Sequence, residues 1–483
     1  MKNWLKRLKQ ICNQVINVGK KKSFLKSTLI YFTGNVLMKL MTFLLLPVYT
    51  THLLKAEVGL YENTASLITF LAMTVFLNIW ASVLRFMYDY EKDQDKFKAI
   101  NNGLVIFFVA AMIYTLGLWL FNYFRPNLYM IYIYFYGLFT IIHYLYGNIA
   151  RGFGNNILYV ISGVAASLTT LITNIILIVY CQMRIESLYI SVCVGYLIQI
   201  LIIELKLKII FNFNKKDISK DLIVNYLKFG IPLSISTLIF WFLDGYNKLY
   251  ISEYLGYDAN GLYSVAGKFS GALALIASCI ILAWQEMAFK NADTDNVSEK
   301  NNTYSSAVNT YLYYMMLGVA ALLPVITLIF PFLIKKDFQA GYVYVPFHIL
   351  GTTLSTFMNF YSQIFFADKK TVSVTISFGV SAVINFFLLG ILVPHFGIQG
   401  ANYSVIISYI AGLFLMAFYT RSIIKIRFGN LQTIIGFLLM VLSFIVYQFN
   451  NALYSLAFLL IFVIVFVLSE INNIKALLKS FSR

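Results

Sequence analysis

Apolar residues in this chain gather into long uncharged runs separated by short polar turns. Runs near 25–50, 58–84, 102–124, 128–150, 156–180, 185–205, 229–252, 261–289, 304–333, 341–366, 371–394, 399–420, 429–449 and 451–470 predict fourteen helices. Each is long enough to cross a bilayer, which takes about 20 apolar residues per helix. A strand of an outer-membrane barrel needs only about 10 residues of alternating pattern, and these runs are longer and do not alternate. Ahead of the first run, Trp4, Leu5, Leu8, Ile11, Cys12, Val15 and Ile16 recur at helical spacing, with Lys2, Lys6, Arg7 and Lys9 on other faces. That pattern predicts a basic amphipathic segment over 1–24, suited to an anionic membrane surface. No cleavable signal is expected, because the basic start is long and the first run already spans.

Composition confirms the class and removes others. The 483 residues are 60% hydrophobic and 12% charged, which excludes a soluble domain. A formal charge of +17 would suit a nucleic-acid binder, but its distribution does not. Of the 37 lysines and arginines, five fall in the predicted outer loops: Lys55, Arg125, Arg184, Lys335 and Lys336. Lys39, Lys248 and Lys268 lie within spans, and the rest sit on the side of the N-terminus. By the positive-inside rule both termini are therefore cytoplasmic and the number of spans is even. No nucleic-acid partner is expected. Cys12, Cys181, Cys193 and Cys279 have no CxxC or metal-ligand spacing, so no metal or cofactor is predicted. No nucleotide-binding loop occurs, so ATP is not the direct energy source.

The chain repeats itself. Leu53–Tyr61 (LLKAEVGLY) matches Leu255–Tyr263 (LGYDANGLY) at an offset of 202. Asn174 matches Asn385 at an offset of 211, and Ile185–Tyr196 matches Ile398–Tyr409 at 213. Each repeat holds six helices, an even number, so both enter the membrane from the same side and are related by an axis along its normal. The expected fold is thus all-α and integral to the membrane: two six-helix lobes in a parallel pseudo-two-fold repeat, plus a C-terminal helix pair. The corresponding segments are the N-terminal lobe 25–205, a basic cytoplasmic linker 206–228, the C-terminal lobe 229–420, an accessory hairpin 421–470 and a basic tail 471–483. The hairpin carries no charge within its apolar cores and reads as lipid-facing.

Charges inside spans are the candidate chemistry, since a charge in the bilayer core costs several kcal/mol unless it faces protein or a wet cavity. Lys39 lies mid-span, away from the ends where lysines snorkel, which favours a cavity role. Asp244 and Lys248 are four apart, acid first, the spacing of an intrahelical ion pair. Lys268 has no acid at 264 or 272 (Ser264, Ala272) and is the least neutralised of the three lysines. Arg85, at the inner end of the second span, suits either a lipid-headgroup anchor or a cargo contact. Glu62 and Glu286 are the remaining acids of note within spans. Either could take up a proton for coupling, or serve structure at a hairpin end. His143 and His348 are isolated and read as core residues. Pro232, Pro324 and Pro346 are expected to bend or break their spans.

At several of these residues the chain resembles a known family, the bacterial polysaccharide flippases of the multidrug/oligosaccharidyl-lipid/polysaccharide exporter superfamily. The matching pieces are Leu46–Thr50 (LPVYT), Glu57–Tyr61 (EVGLY), Arg85–Tyr90 (RFMYDY), Gly230-Ile231-Pro232, Trp241, Asp244–Ile251, Gly261–Ser264 (GLYS) with Lys268, and Pro394–Ala401 (PHFGIQGA). The resemblance covers about 25–425. It implies two lobes around a cationic cavity that opens alternately to either side of a bacterial cytoplasmic membrane. The cargo it implies is an undecaprenyl-diphosphate-linked oligosaccharide for O-antigen, capsule or exopolysaccharide. A polysaccharide polymerase and glycosyltransferases of the same pathway are the implied protein partners. Lys39, Lys248, Lys268 and Arg85 are then the candidate cargo-binding residues, with Asp244, Glu62 and Glu286 as candidate coupling or pairing acids and no catalytic residue. A diphosphate crossing a low-dielectric region needs fixed positive charge to replace its hydration, which the lysines supply. Two relatives by fold, a lipid II flippase and a cation-coupled multidrug exporter, are alternatives. A membrane polymerase or ligase is a weaker one, because the outer loops are short and hold no nucleophile–base constellation.

Overall fold

The computed structural model describes residues 33–292, 297–421, 424–427 and 429–481. The amphipathic segment predicted over 1–24 lies outside them. Helix α1 covers 33–44 and is followed by α2 (Leu46–His52), α3 (Lys55–Thr74), α4 (Ile79–Met87), α5 (Asp93–Phe124), α6 (Met130–Gly152), α7 (Asn156–Ile175) and α8 (Ile185–Leu207). Then come α9 (Lys220–Leu255), α10 (Tyr257–Ala292), α11 (Val297–Leu333), α12 (Val345–Ala367), α13 (Thr371–Phe396), α14 (Ile398–Thr420), α15 (Leu431–Gln448) and α16 (Ala452–Phe481). No strand occurs among the described residues. Backbone groups that meet no water in lipid must be satisfied within the segment, and a helix does this.

Eleven of these helices are long and apolar enough to cross a membrane, or twelve if the bent pair α3–α4 is one span. The first predicted span is described only from Thr33. The tenth appears as α12, a 23-residue helix that is not among the eleven.

Two expectations about helix breaks need correcting. The second predicted span, 58–84, is not continuous: α3 and α4 meet at 49°. The break contains no proline. Leu77 and Asn78 instead both take left-handed backbone conformations (φ 49° each), which ends the α3 ladder. The Asn78 side-chain amide donates to Ser234 Oγ at 3.3 Å, and Gly230 lets α9 approach the Leu77 carbonyl. Pro346 breaks nothing, because it occupies the first turn of α12, where a missing N–H is harmless. Pro232 and Pro324 lie within α9 and α11, and neither ends its helix.

By packing, the chain divides into two compact units. One takes residues up to Leu45 with Leu71–Ile235; the other takes Leu46–Phe70 with Ser236 onward. This division cuts α3 and α9 and differs from the division by repeat. The reason that 46–70 belongs to the second unit is visible in its bonds. The buried Thr50 hydroxyl donates to the Leu333 carbonyl (3.2 Å) and accepts from the Lys335 amide (3.1 Å), holding α2 at the end of α11. Within the same unit, the C-terminal hairpin is docked on protein and not simply lipid-facing. Leu439 of α15 and Phe458 of α16 share a core with Tyr313, Leu317 and Ala320 of α11. The Tyr313 and Ser469 hydroxyls are hydrogen-bonded at 2.8 Å. Tyr342 and Tyr447 stack at 4.1 Å, and each hydroxyl donates to the other residue's carbonyl.

Candidate functional site

The site is built where α3 crosses α9 and α10, all within the second unit. Two glycines set the first crossing. A Cβ on Gly59 would stand 1.8 Å from the Tyr257 carbonyl oxygen, and one on Gly261 would stand 2.2 Å from that of Lys55. Only glycine permits so close an approach of two backbones. The Asn260 side-chain amide closes the contact by donating to the Gly59 carbonyl at 2.8 Å. Gly59 and Gly261 are separated by the repeat offset of 202, as are Lys55 and Tyr257. Exchanging repeat-related residues exchanges the two contacts, which is the mark of a local two-fold axis between these helix starts. The helices α9 and α10 can turn so sharply because Gly256 alone joins them, at φ +88°.

A second clamp holds α3 to α9. Ser66 Oγ donates to the Gly245 carbonyl at 2.8 Å, and the Trp241 indole N–H donates to the Ser66 carbonyl at 3.0 Å. Glu62 lies between the clamps, about one turn from Gly59 and one from Ser66. Only 6% of it is exposed. Its two carboxylate oxygens are divided between two helices. Lys248 Nζ of α9 donates to Oε2 at 2.9 Å, and Lys268 Nζ of α10 donates to Oε1 at 2.6 Å. Two ammonium groups that would repel each other are thus held together by one carboxylate. The lysine side chains keep an open flank, 23% and 34% exposed against 8% for the glutamate side chain.

The expected pairing is therefore corrected. Lys248 pairs with Glu62 across helices and not with Asp244, four residues before it. Asp244 is exposed on α9. Lys268, expected to be the least neutralised lysine, holds the shorter of the two contacts to Glu62. A partner on its own helix was the only kind that sequence spacing could test. Lys39 and Arg85 belong to the first unit. Lys39 is exposed on α1, whose Gly34 and Met38 pack against Val160 and Gly163 of α7. Arg85 is exposed and ion-paired with Asp89 at the end of α4. The side chain of Glu286, on α10, lies outside the described residues. His143 stacks on Tyr196 at 4.0 Å, as a core residue should. His348 is more informative than the sequence suggested: its ring fills the space beside Gly267, the neighbour of Lys268. Among the described residues no three His, Cys, Asp or Glu side chains are grouped to hold a metal ion.

Many long apolar helices with a buried, cross-helix charge cluster make up this fold, and solved structures share it. A lipid II flippase MurJ, in an inward closed conformation, is 15% identical over 94% of this chain and all of that one, with a TM-score of 0.69. An inward-facing multidrug-resistance MATE transporter of the MOP superfamily is 15% identical over 86% of this chain and 96% of its own, at 0.61. A MATE transporter of Vibrio cholerae is 13% identical over 85% and 97%, at 0.53. At such identities the likeness establishes the fold alone. Residues 24–285, more than half of the chain, match the family of polysaccharide biosynthesis proteins, and the chain belongs to that family. No curated protein matches it.

Proposed function

We propose that this protein is a flippase that carries an undecaprenyl-diphosphate-linked oligosaccharide repeat unit from the inner to the outer leaflet of a bacterial cytoplasmic membrane. The observation that carries the reading is membership of the polysaccharide biosynthesis family over 24–285. A lipid II flippase shares the fold, which is compatible with a lipid-linked cargo. In this reading two six-helix lobes alternate access to a central cavity. Lys248 and Lys268 bind the diphosphate or acidic sugar, and Lys39 and Arg85 are further candidate cargo-binding charges. Lysine suits the task, since a compact cation meets phosphate oxygens without demanding one fixed geometry. The polyprenyl tail stays in lipid while the head crosses. Polymerase and glycosyltransferases of the same pathway act after and before it, building O-antigen, capsule or a related polysaccharide.

The test is complementation of surface polysaccharide in a flippase-deficient strain, with membrane abundance measured beside it. Wild type should restore export, and the triple variant Lys39→Ala, Lys248→Ala, Lys268→Ala should not, at equal abundance. Normal polysaccharide from the triple variant would rule the cationic mechanism out.

A further inference from the structure

The two lysines offered to an anionic cargo are already occupied. Each oxygen of Glu62 takes one ammonium, at 2.9 and 2.6 Å, and among the described residues no other hydrogen-bond donor to this carboxylate occurs. Glu62 is buried on α3 while its partners, on α9 and α10, keep their open flanks. The charge balance follows. Glu62 cancels one of the two lysine charges, so the excess positive charge of this cluster doubles when Glu62 leaves the lysines. With Glu62 displaced, a pair of ammonium groups faces one position that had held an anion with two oxygens.

We propose that Glu62 is a built-in counter-anion that occupies the diphosphate position and must be displaced for the cargo head group to bind. This rests on the reading of Lys248 and Lys268 as the cargo site. A carboxylate bridging two cations presents the same chemistry as two oxygens of a phosphate: planar or tetrahedral, each accepts a charge-assisted hydrogen bond from each lysine. The arrangement also solves a physical problem. Two lysines left facing each other in a low-dielectric interior repel, and an uncompensated buried charge is strongly destabilising. Glu62 holds the empty site together and makes it selective. A monoanion that offers no more than a carboxylate gains nothing by exchange, whereas a group with more charge and more oxygens does. Displacement also has a mechanical consequence. Glu62 lies one turn from the Gly59–Gly261 crossing, so releasing it removes the ion pairs that tie α3 to α9 and α10 beside that contact.

The full-length protein in nanodiscs tests this with undecaprenyl diphosphate as the probe and undecaprenol as the uncharged control. Glu62→Gln, which keeps size and one acceptor oxygen but drops the charge, should bind the diphosphate about tenfold tighter than wild type. Glu62→Asp should not, and Lys248→Ala with Lys268→Ala should lose the preference for diphosphate over undecaprenol. In wild type, carbodiimide labelling of Glu62 read by mass spectrometry should rise several-fold when the diphosphate is added, a measurement that needs no variant to fold. Lysine-dependent binding with Glu62→Gln no tighter, or labelling that is unchanged or reduced, overturns the counter-anion role while leaving the cargo site standing. Equal binding of diphosphate and undecaprenol by wild type and by Glu62→Gln overturns both.

Discussion

Adding one methyl group at the glycine crossing should pry α3 from α10. In Gly261→Ala the new Cβ would stand 2.2 Å from the Lys55 carbonyl oxygen, where ordinary contact begins at 3.4 Å. The helices must part by about 1.2 Å, because the obstacle is backbone and cannot rotate away. Gly59→Ala is more severe, with a starting separation of 1.8 Å. Overpacking of this kind costs about 1–3 kcal/mol, and the bond from Asn260 to the Gly59 carbonyl is stretched with it. The same parting carries Lys268 away from Glu62, a contact of 2.6 Å with little slack. Gly271 provides the control on the same helix, since a Cβ there meets nothing within 4 Å. Gly271→Ala should be neutral or stabilising by up to about 1 kcal/mol, the helix-propensity gain over glycine. Thermal unfolding in detergent, followed by tryptophan fluorescence, should order the midpoints as Gly271→Ala at or above wild type, then Gly261→Ala, then Gly59→Ala. Combining Gly261→Ala with Lys268→Ala should cost less than the sum of the two, because each weakens the same α3–α10 link. A Gly261→Ala protein as stable as the Gly271→Ala control would refute the close-packed crossing.

Further outcomes follow from the same geometry. Lys268→Arg should keep much of the export, and Lys268→Ala should lose more of it than any fall in protein level from the lost Glu62 pairing explains; export that falls only in proportion to abundance would mark a purely structural role. Impermeant thiol reagents on intact cells should label cysteines placed at Lys55 and Asp258 but not at Lys216, and labelling at 216 would reverse the topology. Tyr447→Phe removes one of the two reciprocal bonds of the Tyr342–Tyr447 pair and should cost about 1 kcal/mol of stability, read as a lowered unfolding midpoint without loss of export. Asn78→Ala should lower stability by loss of its bond to Ser234 and of a residue type that tolerates the left-handed backbone of the α3–α4 break, whereas Asn78→Gly should recover part of it.

Hydrophobic runs, the placement of basic residues and the internal repeat determine the class of this protein without any tertiary information. These signals arise from solvent: lipid rewards long apolar helices, and charge is sorted between its two sides. The choice of Lys248 and Lys268 as residues of interest also came from that level, since charges within spans are visible in one dimension. Their partner was not. Glu62 is 186 residues from Lys248 and 206 from Lys268, and nothing in local spacing favours it over Asp244, which has the better i,i+4 register and pairs with neither. What decides the matter is the approach of α3 to α10, permitted by Gly59 and Gly261, and of α3 to α9, fixed by Ser66 and Gly245. The repeat pointed to those glycines as equivalent, but only the fold makes them neighbours. The break after α3 was hidden for a related reason. Leu77 and Asn78 carry no proline or glycine signal, and their left-handed conformations are held by α9 through Gly230 and Ser234, a contact across the chain that no local pattern encodes.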